Sequence, residues 1–248
     1  MMADFQLGLS RLDADLRAYS LGGSDCTIIA AAQNHLPDKS PQMHDLERMM
    51  GIKLGDEPPD LTQNVSVILG IWNEPLVVYL YECFVGDMVF DRNATVDHPD
   101  IKHCRASLDG RVVLPGCTRS VLEAKWTAAT NMDAIVTQYY AQLQNNLDCD
   151  GVDHAVLAAI KRGQFDHVVI ERDDAYLKVL RERQEIVWSA VQDGRREVSE
   201  ILPPMPKPER DAIVMRPDPV DLSTLPEANE IGYHAAVFCE TYTAAKAH

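Results

Sequence analysis

Ser107-Leu108-Asp109-Gly110, then Arg111-Val112-Val113-Leu114, then Val121-Leu122-Glu123-Ala124-Lys125, is the stretch whose reading decides the fold. Two apolar runs joined by Pro115-Gly116-Cys117-Thr118-Arg119 predict a β-hairpin from Arg111 to Lys125, with an acid at a turn just ahead of it. Side chains two apart on a strand share a face, so Glu123 and Lys125 project together and Asp109 can meet them from the neighbouring strand. Two carboxylates and an ammonium on one sheet face can hold a divalent metal and polarise a water for phosphodiester cleavage. Mg²⁺ takes oxygen ligands, keeps several waters and needs only one or two carboxylates. Asp109 and Glu123 meet that demand, with the Ala124 backbone carbonyl as a third protein ligand. Lys125 would orient the nucleophile or neutralise charge developing on the phosphate. Taken alone, a Glu-x-Lys triplet is a weak signal. An exposed pair on a strand, with Asp109-Gly110 as a plain hairpin turn, accounts for it equally.

The segments around the hairpin predict an α/β fold. Residues 4 to 20 carry helical spacing (Phe5, Leu7, Leu9, Leu12, Leu16) and end at Gly22-Gly23, after which Ser24 or Asp25 is placed to cap a helix from Cys26 to Ala32. The free N–H groups at such a helix end suit a phosphate, although an ordinary capped helix needs no ligand. A short helix is expected over His44 to Met50 and a long one over Val65 to Phe84. In the latter, Glu74-Pro75 places the acid at a kink or at the start of a second helical part, because a residue before proline disfavours helical geometry. Strands follow at Met88 to Val96 and Lys102 to Ser107, a helix at Ala128 to Leu147, short strands at His154 to Ile160 and His167 to Ile170, and an amphipathic helix at Asp173 to Arg196. This order predicts a central mixed sheet flanked by helices, with the acidic hairpin running through its middle. Residues 203 to 226 hold half of the chain's 14 prolines and read as a linker or wrapping segment, with a terminal helix over Glu227 to Lys246. The expected division is a nuclease-type domain at 1–202 and a Pro-rich tail with its helix at 203–248.

Composition bounds the function. The chain has 248 residues, 46% of them hydrophobic, with no run of 18 apolar residues and no signal-peptide pattern at Met1-Met2-Ala3-Asp4. A cytoplasmic protein with no membrane partner is expected. Six cysteines without any CxxC argue against a zinc ribbon or an iron–sulfur cluster. A net charge of −15 argues against a nucleic-acid partner, but it leaves room for a small basic channel in an acidic exterior.

Five motifs stand in one order: Leu21-Gly22-Gly23-Ser24-Asp25, Gly70 to Pro75 with its acid, Ala106-Ser107-Leu108-Asp109-Gly110, Leu122-Glu123-Ala124-Lys125, and Tyr139-Tyr140-Ala141-Gln142-Leu143-Gln144. Over residues 15 to 195 this chain resembles the YqaJ-type phage recombinases, relatives of phage lambda exonuclease in the PD-(D/E)XK nuclease superfamily. The resemblance implies that Asp109 and Glu123 bind metal, that Lys125 is the catalytic lysine, and that Glu74 completes the metal environment through water. It places Gln142 beside the active site, and Arg17, Ser24 and Ser107 in a pocket for the substrate's 5′-phosphate. Tyr139 and Tyr140 are open to base stacking or to core packing. The lambda relative has a second arginine six residues after its lysine, where Asn131 stands here.

The implied activity is Mg²⁺-dependent 5′→3′ digestion of duplex DNA ends, with Mn²⁺ able to substitute. It leaves 3′ single-stranded overhangs for phage-type recombination with a single-strand annealing protein. A ring-shaped homotrimer is implied too. The competing readings are an endonuclease of restriction or repair type, and an inactive nuclease fold that only binds.

Overall fold

The computed structural model describes residues 18–34, 40–116, 119–208, 213–215 and 220–221. The expected N-terminal helix, except for its last three residues, and the expected terminal helix over 227–246 lie outside the described residues, as does Arg17. The described elements run α1 (Gly23–Ala31), α2 (Pro41–Lys53), α3 (Val65–Val85), β1 (Ala94–Asp97), β2 (Arg105–Leu108), β3 (Gly110–Val113), β4 (Arg119–Thr127), α4 (Met132–Asp150), β5 (His154–Lys161), β6 (Gln164–Glu171), α5 (Asp174–Gln192), β7 (Ile213–Met215) and β8 (Val220–Asp221).

The main sheet has the order β3-β4-β5-β6-β7, with β8 also pairing with β6, while β1 and β2 form a separate hairpin. Only β4 and β5 are parallel, and α4 makes the crossover between them. The other ladders are antiparallel, so the sheet is mixed as expected. The hairpin differs in place: β3 forms one edge and β4 lies next to it, so the hairpin does not run through the middle. A second difference follows. β2 and β3 do not pair with each other, and Asp109 is the single residue at the bend between them, where the chain leaves the small hairpin for the main sheet.

Alternation along β4 divides the core in two. Val121 belongs to a cluster with Ile135, Leu143 and Leu147 of α4 and Leu177 and Leu180 of α5. Leu122 and Ala124 pack instead with Val77, Val78, Leu80 and Tyr81 of α3. A third cluster ties Leu21 and Ile29 to Leu46 and Met50 of α2 and to Val187 and Ala190 of α5. Period-two alternation therefore sends Glu123 and Lys125 to the α4 side.

α3 runs as one helix from Val65 to Val85 with Pro75 inside it, so Glu74 does not start a second helical part. Its buried residues Val77, Val78, Leu80 and Tyr81 press on β4 and β5. That burial offsets the roughly 3 kcal/mol that a proline costs inside a helix. This helix is also long and apolar enough, by length and composition, to cross a membrane; Val77, Val78, Leu80 and Tyr81 are its buried residues. The proline-rich region is not only a wrapping segment, since residues 213–215 and 220–221 extend the sheet beside β6.

Gly110 opens β3 because nothing larger fits. A Cβ there would lie 2.4 Å from Cγ1 of Val89, a stiff β-branched side chain in the α3 cluster. Gly110→Ala is expected to lower stability by about 1–3 kcal/mol, as overpacking does. Urea unfolding checks this, and adding Val89→Ala should recover part of the loss.

Candidate active site

Asp109 is set by the bend, and Glu123 and Lys125 by the β4 register. Asp109 Oδ2 accepts the Ala124 N–H at 2.7 Å. β3 pairs with β4 only as far as Gly110 opposite Leu122, so Ala124 lies past the end of that ladder and its N–H is free to take the carboxylate. A strand residue's N–H and C=O point to the same side. The Ala124 carbonyl therefore faces the Asp109 side as well. Lys125 Nζ donates to Glu123 Oε1. Opposite β4, α4 lays two amides one turn apart onto the same carboxylate. Gln142 Nε2 donates to Oε1 at 2.5 Å and Asn146 Nδ2 to Oε2 at 3.0 Å.

These groups open onto a cavity of about 180 Å³, lined by Asp109, Glu123, Lys125 and Gln142, by Ser20, Gly22, Gly23, Ser24 and Asp25 at the start of α1, by Arg105 and Ser107 of β2, and by Lys53 of α2. A larger groove of about 600 Å³ lies among Tyr19, His103, Glu185 and Trp188 and holds none of the predicted residues. Close packing sets one wall of the cavity: a Cβ on Gly23 would fall 2.7 Å from Cγ of Gln142, so only glycine lets α1 approach α4 there.

Burial pushes the Asp109 carboxyl above the ordinary carboxylate range, and Lys125 and the Ala124 N–H only partly offset it. Glu123 is raised as well, by burial first and then by repulsion from Asp109, with Glu74 repelling it more weakly. Burial works against the Lys125 ammonium, but Glu123 and Asp109 outweigh it and hold this lysine above its usual value. Two buried acids with too little positive charge around them are a site that a divalent cation relieves. The donor set fits a hard ion, because the described residues lining the cavity offer carboxylate, carbonyl and hydroxyl oxygens and no thiol or imidazole. Among the described residues no three His, Cys, Asp or Glu side chains form an all-protein cage. An ion here would keep waters, which is the habit of Mg²⁺.

The structure brings together Asp109, Glu123, Lys125, Gln142, Ser24 and Ser107 around one cavity. Glu74 is half-buried on α3, near enough to repel Glu123, and does not line the cavity. Ser24 is not the cap of α1. Gly22 takes that position, and Asp25 Oδ2 accepts the Gly22 N–H at 2.9 Å. The helix starts at Gly23, three residues before the expected Cys26, which puts Ser24 inside its first turn with its side chain exposed at the cavity. Tyr140 is core, edge-on to Tyr176, whereas Tyr139 places its ring 5.0 Å from Lys125 Nζ. Asn131 caps α4 by accepting the Ala134 N–H at 2.8 Å.

Sequence reasoning missed Asn146, Lys53 and Arg105. The signal for Asn146 was present, since it stands four residues after Gln142 in the polar run Gln142 to Asn146 of an otherwise buried helix. Lys53 and Arg105 had no local signal.

The architecture has solved relatives. An alkaline exonuclease from Laribacter hongkongensis superposes with a TM-score of 0.59 at 18% identity, covering 75% of this chain and 94% of that one. The same enzyme in complex with dAMP gives 0.60 at 19%. A phage-related exonuclease from Haemophilus somnus 129PT gives 0.53 at 11%, covering 73% and 97%. The chain thus has the nuclease fold of the alkaline exonucleases. Residues 14–153, more than half of the chain, match the YqaJ-like viral recombinase domain, and the protein belongs to that family. No curated protein sequence matches it.

The raised acids set a pH dependence. A carboxyl whose folded pKa exceeds its unfolded value contributes stability that is present below the unfolded value, about 4, and is lost as pH rises through the folded one. In EDTA the protein is therefore expected to lose stability from about pH 5 to pH 8. Mg²⁺ or Mn²⁺ should restore it at pH 8. Asp109→Asn should flatten the pH slope and abolish the metal response. Melting temperatures measured across pH, with and without metal, check all three outcomes.

Proposed function

We propose that this protein is a Mg²⁺-dependent exonuclease that digests one strand of duplex DNA from its 5′ end. The product is a 3′ single-stranded overhang for recombination by strand annealing. The observation that carries this reading is the meeting of Asp109, Glu123 and Lys125 in one cavity walled by Ser24 and Ser107. Asp109, Glu123 and the Ala124 carbonyl would hold the ion, with Glu74 acting through water. When bound, Mg²⁺ would activate a water and stabilise the leaving oxygen.

The chain's own residues supply orientation and charge. Glu123 cannot rotate, because Lys125 and Gln142 hold one oxygen and Asn146 the other. Lys125, held above its usual value by Glu123 and Asp109, would place a cation toward the phosphate and the attacking water. Asn146 is a positioning residue. The described part of the cavity carries three basic and three acidic groups (Lys53, Arg105, Lys125; Asp25, Asp109, Glu123), which reconciles a phosphate substrate with a chain of charge −15. Family membership also brings homotrimer assembly and a single-strand annealing partner into the proposal; light scattering in solution tests the first.

Linear duplex labelled at either end, incubated with Mg²⁺, should lose its 5′-ended strand while closed circular DNA stays intact. Lys125→Ala and Glu123→Gln should each lower the rate by about 100-fold or more. Variants as active as wild type would sink the assignment, and nicking of the circle would replace it with an endonuclease. Asn146→Ala should lower kcat about 10–100-fold, the usual cost of removing a partner that orients a metal ligand. It should also shift the acid limb of the pH–rate profile upward, because Glu123 loses a donor that favours its anion. Binding of DNA in EDTA should not change.

A further inference from the structure

α3 is apolar on more than the face it buries. Val65, Trp72 and Tyr79 stand seven residues apart and are 65%, 52% and 45% exposed. Leu69, Leu76 and Cys83 follow each of them by four residues; the two leucines are half-buried and Cys83 is exposed. This spacing of four and three draws one stripe along the helix, on the side away from its buried residues. Glu74 and Glu82 are the two charged residues of α3, and neither falls on the stripe. A helix that is apolar all round is normally covered all round, and an exposed apolar stripe of this length marks a docking surface.

The described residues end beside this helix. β8 pairs Val220 with Phe165 and Asp221 with Gln164. The Phe165 ring lies 5.8 Å from that of Phe84, in the last turn of α3. The sequence that follows, 222–248, carries a second stripe of the same spacing: Ile231, Ala235, Phe238, Tyr242 and Ala245. The two stripes match in length, since Val65 to Tyr79 and Ile231 to Ala245 are each about 21 Å as helices. They match in bulk as well, with small Ala235 and Ala245 available to lie against Trp72 and Tyr79. Residues 222–230 reach about 30 Å when extended, enough to carry the chain from Asp221 around a helix about 10 Å wide.

We infer that residues 227–248 form a helix that lies along the outer face of α3 in the same chain, with the stripe from Ile231 to Ala245 on the stripe from Val65 to Cys83. α3 carries Glu74, so the docked helix braces the element that holds this acid. The inference goes beyond the nuclease reading and does not depend on it.

Hydrogen exchange of the full chain tests it. Amides of 231–245 should exchange at least about tenfold more slowly than those of an unstructured chain. Val65→Asp and Tyr79→Asp on α3, and Phe238→Asp on the segment itself, should each remove that protection, whereas Glu240→Ala, on the opposite face, should leave it. Deleting 227–248 should raise the alkylation rate of Cys83 about tenfold, read by peptide mass spectrometry, and leave the number of subunits in solution unchanged. Phe238→Asp should raise Cys83 labelling as the deletion does. This variant leaves α3 and its neighbours intact, so it reads the contact even where an α3 variant fails to fold. Free exchange over 231–245 in the full chain overturns the inference. Protection that survives both α3 variants overturns it too, because the segment then docks elsewhere. A smaller assembly after the deletion does the same, by giving the α3 face to a second copy.

Discussion

The site depends on one carboxylate held from two directions. Glu123 is buried between Lys125 on its own strand and two amides, Gln142 and Asn146, projecting from α4. A buried anion at this position is tolerable only if its oxygens are all met, and here each oxygen has a donor. The arrangement requires β4 and α4 to keep one register. A one-residue slip in β4 would send Glu123 and Lys125 into the α3 cluster and bring Leu122 and Ala124 to the cavity. The parallel ladder to β5, from Val121 opposite Ala155 to Thr127 opposite Lys161, fixes that register along the whole active segment. At the Lys125 position the partner is Ala159, whose small side chain leaves room for the lysine beside it.

Asp109 is placed by a different device. It sits at the only residue between two strands that belong to different sheets, and its carboxylate takes the first β4 N–H beyond the β3 ladder. An unfilled backbone donor is thereby satisfied by the acid that the site needs. The cavity is thus closed by elements that each have a structural task. β2 supplies its outer face, α1 its glycine-rich start, and α2 the lysine that offsets Asp25.

What could be read from the sequence followed from periodicity and spacing. Period two on Val121 to Lys125 put Glu123 and Lys125 on one face, and the apolar run from Val65 to Phe84 was a helix of nearly the length observed. The errors arose where long-range packing overrode a local rule. Glu74-Pro75 argued for a kink or a second helical part, but the α3 face packs on β4 and β5 and one helix spans Val65 to Val85. Asp109-Gly110 looked like a hairpin turn, because the sequence does not reveal that β2 pairs with β1 and not with β3. The tail at 213–215 and 220–221 joins the sheet through an edge that only the assembled β6 offers. Arg105 and Lys53 were illegible for a related reason. Each lies far in sequence from the acids it faces, and nothing near either residue marks it as part of a site.

The electrostatics show why such a site costs stability. Asp109 and Glu123 raise each other's energy in the absence of an ion, and Lys125 answers only part of their charge. A protein selected for stability alone would replace one acid with an amide, keeping the Ala124 N–H bond and removing the repulsion. The retained strain is a preference for a cation, because any ion that neutralises the pair is bound by the free energy the acids release. The cavity lining mixes the two signs: Lys125 stands on Glu123 and Lys53 on Asp25, with Arg105 and Asp109 beside them. A scissile bond carries negative oxygens on both sides of the phosphorus. A cavity lined by fixed groups of both signs can therefore hold it in one orientation, which a uniformly basic cleft could not do.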